Sequence, residues 1–337
     1  MKPTQNICQR SYIEEITDIG PQSKDDGSSV PVNQLFSEEN INTRPVTPNV
    51  IDDLKLLAKT SRPVVWTWFS GPFIIGFFVA GSNIYNSLAW IEFLALGPLY
   101  CLIVYGVNDI YDYESDKKNE RKGEGKTQGD ILEPEKHDLV MKASIIASIM
   151  LIALSLSTKN LVNILGMAFM ILWAFTYSAP PLRLKERPII DSLSNGLGYA
   201  IVPIAIGFSF GAPITKIPES VFWAGFTVAS MHTAFAVMDY RPDKKAGVNT
   251  IAVRFGQKKT ILFPVLATLL TLLFSPMKGF IPQTLLFGLF TLVSLMALDI
   301  YGYIEFKKKY RDRALGIIYL TGIVLTTIFL LKSRQLI

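Results

Sequence analysis

From residue 63 to residue 331 the chain alternates between long apolar stretches and short polar connections. The apolar stretches cover 63–81, 88–108, 140–157, 160–178, 191–212, 218–238, 260–275, 281–301 and 314–331. A helix needs roughly 20 predominantly apolar residues to cross a bilayer core. Only helices and closed barrels satisfy their backbone polar groups there. The pattern therefore predicts nine membrane-spanning helices. Just ahead of them, Ile51, Leu54, Leu57 and Ala58 recur at helical spacing, which predicts an amphipathic helix over residues 51–60 lying in the interface. Ser61-Arg62-Pro63 then opens the first span, proline being tolerated in the first turn of a helix. Residues 1–50 carry no such period. Rich in Ser, Asn, Asp, Glu and Pro, they read as a disordered tail. Glu14, Glu15, Asp18, Asp25, Asp26, Glu38 and Glu39 are too many acids for a transit peptide, and no apolar signal core is present. The expectation is a tail over 1–50 followed by an all-α integral membrane domain over 51–337, its helices arranged around a central cavity.

Composition agrees: half of the 337 residues are apolar and only 18% are charged. The formal charge of +5 does not point to nucleic acid, because basic residues in a membrane protein mostly set orientation. The odd-numbered connections hold just Lys159, Lys216 and Lys278. The even-numbered ones hold, in or at their edges, Lys117, Lys118, Arg121, Lys122, Lys126, Lys136 and Lys142, then Arg183, Lys185 and Arg187, then Arg241, Lys244, Lys245, Arg254, Lys258 and Lys259, and last Lys307, Lys308, Lys309, Arg311 and Arg313. That asymmetry puts the even connections and the amino terminus in the cytosol, and nine spans put the carboxyl terminus opposite. In a eukaryotic cell the expected location is the endoplasmic reticulum or another endomembrane. Cys8 and Cys101 form neither a disulfide framework nor a metal cluster.

Candidate chemistry lies on the basic side. Asn108, Asp109, Asp112 and Asp116 follow the second span, and Asn108, Asp112 and Asp116 share one face if the helix continues. A lone carboxylate pair at this spacing is common on solvated helices. Asp239 and Asp243 repeat the pattern at the end of the sixth span, with Pro242 between them as a point where the helix turns. Carboxylates at membrane depth are costly and mark function. Hard oxygen ligands suit Mg²⁺ that brings substrate phosphates with it, and Lys117, Arg183, Lys185, Lys244 and Arg254 are the cations available to a diphosphate. His232 is either a base for the proton an acceptor loses or a packing residue. Asp191 and Asn195 either orient an acceptor or cap a helix.

Three tracts resemble the UbiA superfamily of intramembrane prenyltransferases. They are Asn108-Asp109-x-x-Asp112-x-x-x-Asp116; Tyr177-Ser178-Ala179-Pro180-Pro181-Leu182-Arg183-Leu184-Lys185; and Ala236-x-x-Asp239-x-x-x-Asp243 followed by Lys245-Ala246-Gly247 and residues 250–256. The lycopene elongase-like branch is the nearest likeness, through Ser61-Arg62-Pro63, residues 191–196 and Met231-His232-Thr233. Its second motif also lacks the leading Asp, where Ala236 stands here. The resemblance implies that Asn108, Asp112, Asp239 and Asp243 hold Mg²⁺ on an allylic prenyl diphosphate, supported by Asp109 and Asp116. It further implies that an acceptor carbon attacks the cation formed. Tyr177, inside a motif, leads the aromatic candidates for steadying that cation, ahead of Tyr105, Tyr111, Trp173 and Phe175. The implied acceptor is lipophilic, with carotenoid, quinone-precursor and other polyprenyl acceptors open, and an intramolecular cyclase as a further reading. A cation-coupled transporter is the non-enzymatic one, although clustering of the acids at one interface with Arg and Lys beside them suits a phosphate ligand better.

The topology is testable directly. A cysteine between Lys117 and Lys126 should label from the cytosolic side, and one at Ser333 from the opposite side. Labelling of both from one side would refute nine spans.

Overall fold

The computed structural model describes residues 49–117, 122, 129–307, 309–311, 313–318 and 320. The predicted tail 1–50 falls outside them save for its last two residues, as does most of the predicted ninth span; residues 313–318 at the start of that span are helical. Among the described residues every regular element is helical. The main ones are α1 (Val50–Thr60), α2 (Thr67–Val79), α3 (Ser87–Tyr111), α4 (Pro134–Ser157), α5 (Leu161–Ser178), α6 (190–208), α7 (Ser220–Met238), α8 (Tyr240–Ala246), α9 (Gln257–Phe274) and α10 (Phe280–Tyr301). Six of these, α3, α4, α5, α7, α9 and α10, are long and apolar enough to cross a membrane. The other two expected spans, α2 and α6, are helical but shorter or interrupted. The predicted interfacial helix forms as α1, with Ile51 and Leu54 exposed.

Prolines account for the interruptions. Pro98 lies within a π turn, Leu96–Tyr100, inside α3. Pro203 follows another, Leu197–Ile201, inside α6. A proline ring denies its helix one hydrogen bond and crowds the preceding turn, and such turns absorb the disruption. Asparagines start helices cleanly: Asn86 accepts from the Ala89 N–H at 3.2 Å, and Asn160 from Val162 at 3.0 Å.

Glycine decides how closely α6 packs. A Cβ on Gly207 would run into the Phe73 carbonyl of α2, and one on Gly76 into the Ile204 carbonyl of α6. On the other side of α6, a Cβ on Gly196 would sit 2.5 Å from the Gly225 carbonyl of α7. Small residues let backbones touch where lipid offers no hydrophobic driving force between helices. The main apolar cluster joins α2, α3, α4, α5 and α6 through Phe69, Phe73, Tyr100, Leu151, Met167 and Ile206. A second joins α7, α9 and α10.

Polar contacts knit the spans at the end remote from the acidic motifs. Glu92 of α3, fully buried, accepts from the Asn163 amide of α5 at 2.8 Å, and Ser155 of α4 donates to the Asn163 carbonyl oxygen. Close to this cluster, Asn160 donates to the Ser209 carbonyl at 2.8 Å, tying α5 to the end of α6.

Replacing Gly207 by Ala should cost about 1–3 kcal/mol through overpacking, read as a lower thermal midpoint in detergent. Gly71→Ala, whose Cβ meets nothing within 4 Å, is the matched control. Equal midpoints for the two variants would refute the close α2–α6 contact.

Candidate active site

Helix α3 does not run straight through its acidic motif. It ends at Asp112 (φ −99°, ψ 0°), and a short helical turn, Tyr113–Asp116, restarts beyond it. The Asp112 carbonyl takes the Ser115 N–H and the Ser115 hydroxyl, both at 2.8 Å. Such local bonds compete with a regular helix. On the face expected for Asn108, Asp112 and Asp116 the partners differ: Asn108 and Asp112 meet Lys185, whereas Asp116 pairs with Lys122. Helix α7 ends the same way, at Asp239 (φ −92°, ψ 3°), where α8 restarts. Pro242 falls in the first turn of α8, where its missing donor is tolerated, so the bend comes at Asp239 rather than at the proline. Both aspartates occupy the bridge region of backbone space, which is sparsely populated and frequent at active sites.

The connection after α5 reaches Asn108 and Asp112. Lys185 Nζ donates to Asn108 Oδ1 at 3.2 Å and pairs with Asp112 Oδ1. Arg183 donates to Asp112 at 3.3 Å, and Ser178 to Asn108 Oδ1 at 3.0 Å. Arg183 adopts a left-handed conformation (φ 41°, ψ 60°), a strained one for a residue other than glycine. Burial pulls the Lys185 ammonium below its ordinary pKa, and the Asp112 carboxylate opposes that shift.

Asp109 and Asp116 point elsewhere. Asp109 meets Arg62 at 2.6 Å and Lys122 at 3.0 Å, and Lys122 also pairs with Asp116 at 2.7 Å. All four side chains are nearly buried. The Arg62 guanidinium also lies 4.4 Å from the centre of the Tyr105 ring, and a Cβ on Gly129 would crowd it at 2.9 Å. Burial pushes the Asp116 carboxyl up to about 6, with Lys122 holding it lower than burial alone would.

A third group lies between α5, α6 and α7. Tyr177 OH is 3.2 Å from His232 Nε2, and Ser192 Oγ is 3.1 Å from His232 Nδ1. Asn195 donates to Tyr177 OH at 3.1 Å, and Thr233 Oγ1 is 3.0 Å from Ser192 Oγ. Aromatic rings continue inward from Tyr177: Trp173 at 5.1 Å, then Tyr199 5.5 Å from Trp173, then Phe69 4.4 Å from Tyr199. A Cβ on Gly198 would meet Trp173 at 2.8 Å, so that glycine gives the indole its place.

The remaining candidates are spread out. Asp243 accepts from Thr250 at 3.3 Å. Asp191, fully buried, accepts the Ser192 N–H at 2.5 Å. Lys117 and Lys244 are exposed over the rings of Tyr113 and Tyr240, and Arg254 is exposed at the end of a short helix, Ile251–Phe255. Among the described residues, none of these three cations pairs with an acid of the first motif.

Residues 69–331 match the UbiA prenyltransferase family. The chain belongs to that family. It is an integral membrane prenyltransferase, as the three tracts implied, and the transporter reading is set aside. A relative, the lycopene elongase/hydratase of Haloarcula japonica, is 34% identical over 227 residues, covering 64% of this chain and 72% of that one. The lycopene elongase/hydratase of Corynebacterium glutamicum is 29% identical over 227 residues, covering 66% and 76%. The solved UbiA homologue from Archaeoglobus fulgidus, bound to DMAPP and Mg²⁺, has a TM-score of 0.58 at 19% identity, covering 81% of this chain and 99% of that one. At that identity the likeness is one of fold.

The UbiA residues fit a hard cation that arrives with its substrate. Asn108 Oδ1 and Asp112 Oδ1 both turn toward one positive group, Lys185 Nζ, so two hard oxygens already converge. Among the described residues no three His, Cys, Asp or Glu side chains form a ready metal cage. A cation that keeps positions for phosphate oxygens needs none.

Sequence reading gave no role to Ser178, Ser192 or Thr233, counted Lys122 toward topology alone, and took Arg62 as the opening of a span. An arginine beside a proline at the mouth of an apolar run was the available sign for Arg62, since a cation so placed needs a carboxylate.

Breaking the Arg62–Asp109 pair should be costly, because it leaves buried Asp109 to Lys122 alone, which also serves Asp116. Arg62→Met is expected to lose about 1.5–3 kcal/mol, and adding Asp109→Asn should recover part of that. A double-mutant cycle on unfolding in detergent, showing no coupling, would refute the pairing.

Proposed function

We propose that this enzyme transfers a short prenyl group from its allylic diphosphate to an alkene carbon of a long apolar polyene of the lycopene type, with Mg²⁺ as cofactor, at a site open to the cytosolic face. The observation that carries the donor half is the convergence of Asn108 and Asp112 with Arg183 and Lys185, brought together from the end of α3 and the connection after α5. Asn108, Asp112, Asp239 and Asp243 would hold the metal, with Asp109 and Asp116 supporting from their pairs with Arg62 and Lys122. When bound, Mg²⁺ offsets the charge that builds on the leaving diphosphate.

Arg183 and Lys185 contact the phosphate oxygens and stabilise the same developing charge, which favours cleavage of the allylic C–O bond. Lys117, Lys244 and Arg254 are the further cations on this face and draw the anionic donor to it. The allylic carbon becomes cation-like, and the Tyr177 and Trp173 rings offer it electron-rich faces. The electron pair of an acceptor double bond then closes the new C–C bond.

The acceptor reading is supported by the two relatives named lycopene elongase/hydratase and by the charge inventory of the spans. An aromatic acid would bring a carboxylate that needs a buried cation, and the buried Arg62 is already engaged by Asp109. A polyene asks only for apolar walls. The basic even-numbered connections support a site on the cytosolic side.

Full-length enzyme in lipid vesicles should join dimethylallyl diphosphate to lycopene in a Mg²⁺-dependent manner, with products identified by mass. Asp112→Ala and Asp239→Ala should each abolish turnover while insertion and expression persist. Prenylated 4-hydroxybenzoate without any elongated carotenoid would overturn the acceptor, and donor consumed with no acceptor would reveal a cyclase. Normal activity in either aspartate variant would overturn the metal assignment.

A further inference from the structure

We propose that Tyr177 and His232 form a proton relay, braced by Ser192, Thr233 and Asn195, which removes a proton from the cationic adduct left after C–C bond formation and so favours alkene over alcohol. This rests on the function proposed above. When the acceptor's double-bond electrons join the allylic carbon, the positive charge moves to the neighbouring acceptor carbon. Two fates follow. An adjacent C–H gives up its proton, and its electron pair becomes a new double bond. Alternatively, a water oxygen bonds to the cation and then sheds a proton. Water capture needs no placed base, because the oxonium it forms is acidic enough to lose its proton to any water. Elimination does need one, aimed at a particular C–H.

The three-helix polar group supplies that base. In one consistent arrangement of hydrogens, Asn195 donates to the Tyr177 oxygen and the Tyr177 hydroxyl donates to His232 Nε2. His232 Nδ1–H donates to Ser192, Ser192 to Thr233, and Thr233 to the Ala229 carbonyl, 3.0 Å away. Every donor then has an acceptor, and the imidazole tautomer is set by its second hydrogen bond. The proton from carbon passes to the Tyr177 oxygen as the Tyr177 proton moves to Nε2. The charge ends on His232 as imidazolium, its Nδ1–H still held by Ser192. Tyr177 is therefore the catalytic residue, and His232 acts through it; Ser192, Thr233 and Asn195 are positioning residues. Ser178, the neighbour of Tyr177 in the chain, bonds Asn108, so the relay stands beside the donor site.

The test measures the ratio of alkene to alcohol, which differ by the mass of one water, in product from dimethylallyl diphosphate and lycopene. His232→Phe and Tyr177→Phe should each lower that ratio roughly a hundredfold or more in whatever product remains, the lower end of what a placed base contributes. Ser192→Ala should shift it the same way by less, and Ser192→Thr should restore it, an effect that loss of packing alone would not give. If His232→Phe fails to fold, the Ser192 pair carries the same readout. An unchanged ratio, or a wild-type enzyme that makes only alcohol, overturns the relay alone. No elongated product from wild type overturns the proposed function and the relay with it.

Discussion

The contact on which the rest of this structure depends is that of α6 with α2 on one side and α7 on the other, at a distance only glycine permits. Gly76 and Gly207 bring α2 and α6 into backbone contact, and Gly196 and Gly225 do so for α6 and α7. Because α6 is pinned on both sides, Ser192 and Asn195 reach His232 and Tyr177 on neighbouring helices. A helix spaced by ordinary side chains would stand too far off for those hydrogen bonds. Packing in an apolar solvent thus sets the geometry of the polar chemistry.

Charge is managed in two ways around that frame. Arg62 with Lys122 neutralises Asp109 and Asp116, while Arg183 with Lys185 neutralises Asp112. Both arginines take left-handed backbones, with φ of 51° and 41°. Such conformations cost about 1–3 kcal/mol each and persist where surrounding contacts over-determine them. Here the buried ion pairs do so. The acids of one motif are thereby divided, Asp112 facing the groups proposed to take the donor and Asp109 facing a fixed partner.

Much of this was legible in the residues. Apolar run length located six full spans; motif spacing and the basic side of the chain pointed to Asn108, Asp112, Arg183 and Lys185, which the structure gathers, and the family resemblance pointed to Tyr177. Asp109 and Asp116 were read as supporting the metal ligands, whereas their side chains pair with Arg62 and Lys122. Which cation each carboxylate meets depends on the tertiary placement of Arg62, Lys122 and Lys185, which no periodicity reveals. The interruptions of α3 and α6 were written in Pro98 and Pro203, yet a proline does not say whether a helix kinks, stops or absorbs the defect in a π turn. Ser192 and Thr233 stood within stretches that carry the branch likeness, but their role was not legible, because only the tertiary contact of α6 with α7 brings their hydroxyls together.

The pairing of Asp112 with Arg183 and Lys185 has a consequence for the catalytic cycle proposed above. The donor site carries its own counter-ion. An arriving diphosphate displaces the Asp112 carboxylate from the two cations rather than meeting bare positive charge, and the carboxylate so released is free to meet the metal that accompanies it. Loading is then an ion exchange with little change in net charge, and unloading is the same exchange reversed, with Asp112 competing for Arg183 and Lys185 as the spent diphosphate departs. A site built this way holds its donor less tightly than two unpaired cations would. In return, it lets go of a product that bears more charge than the substrate it came from.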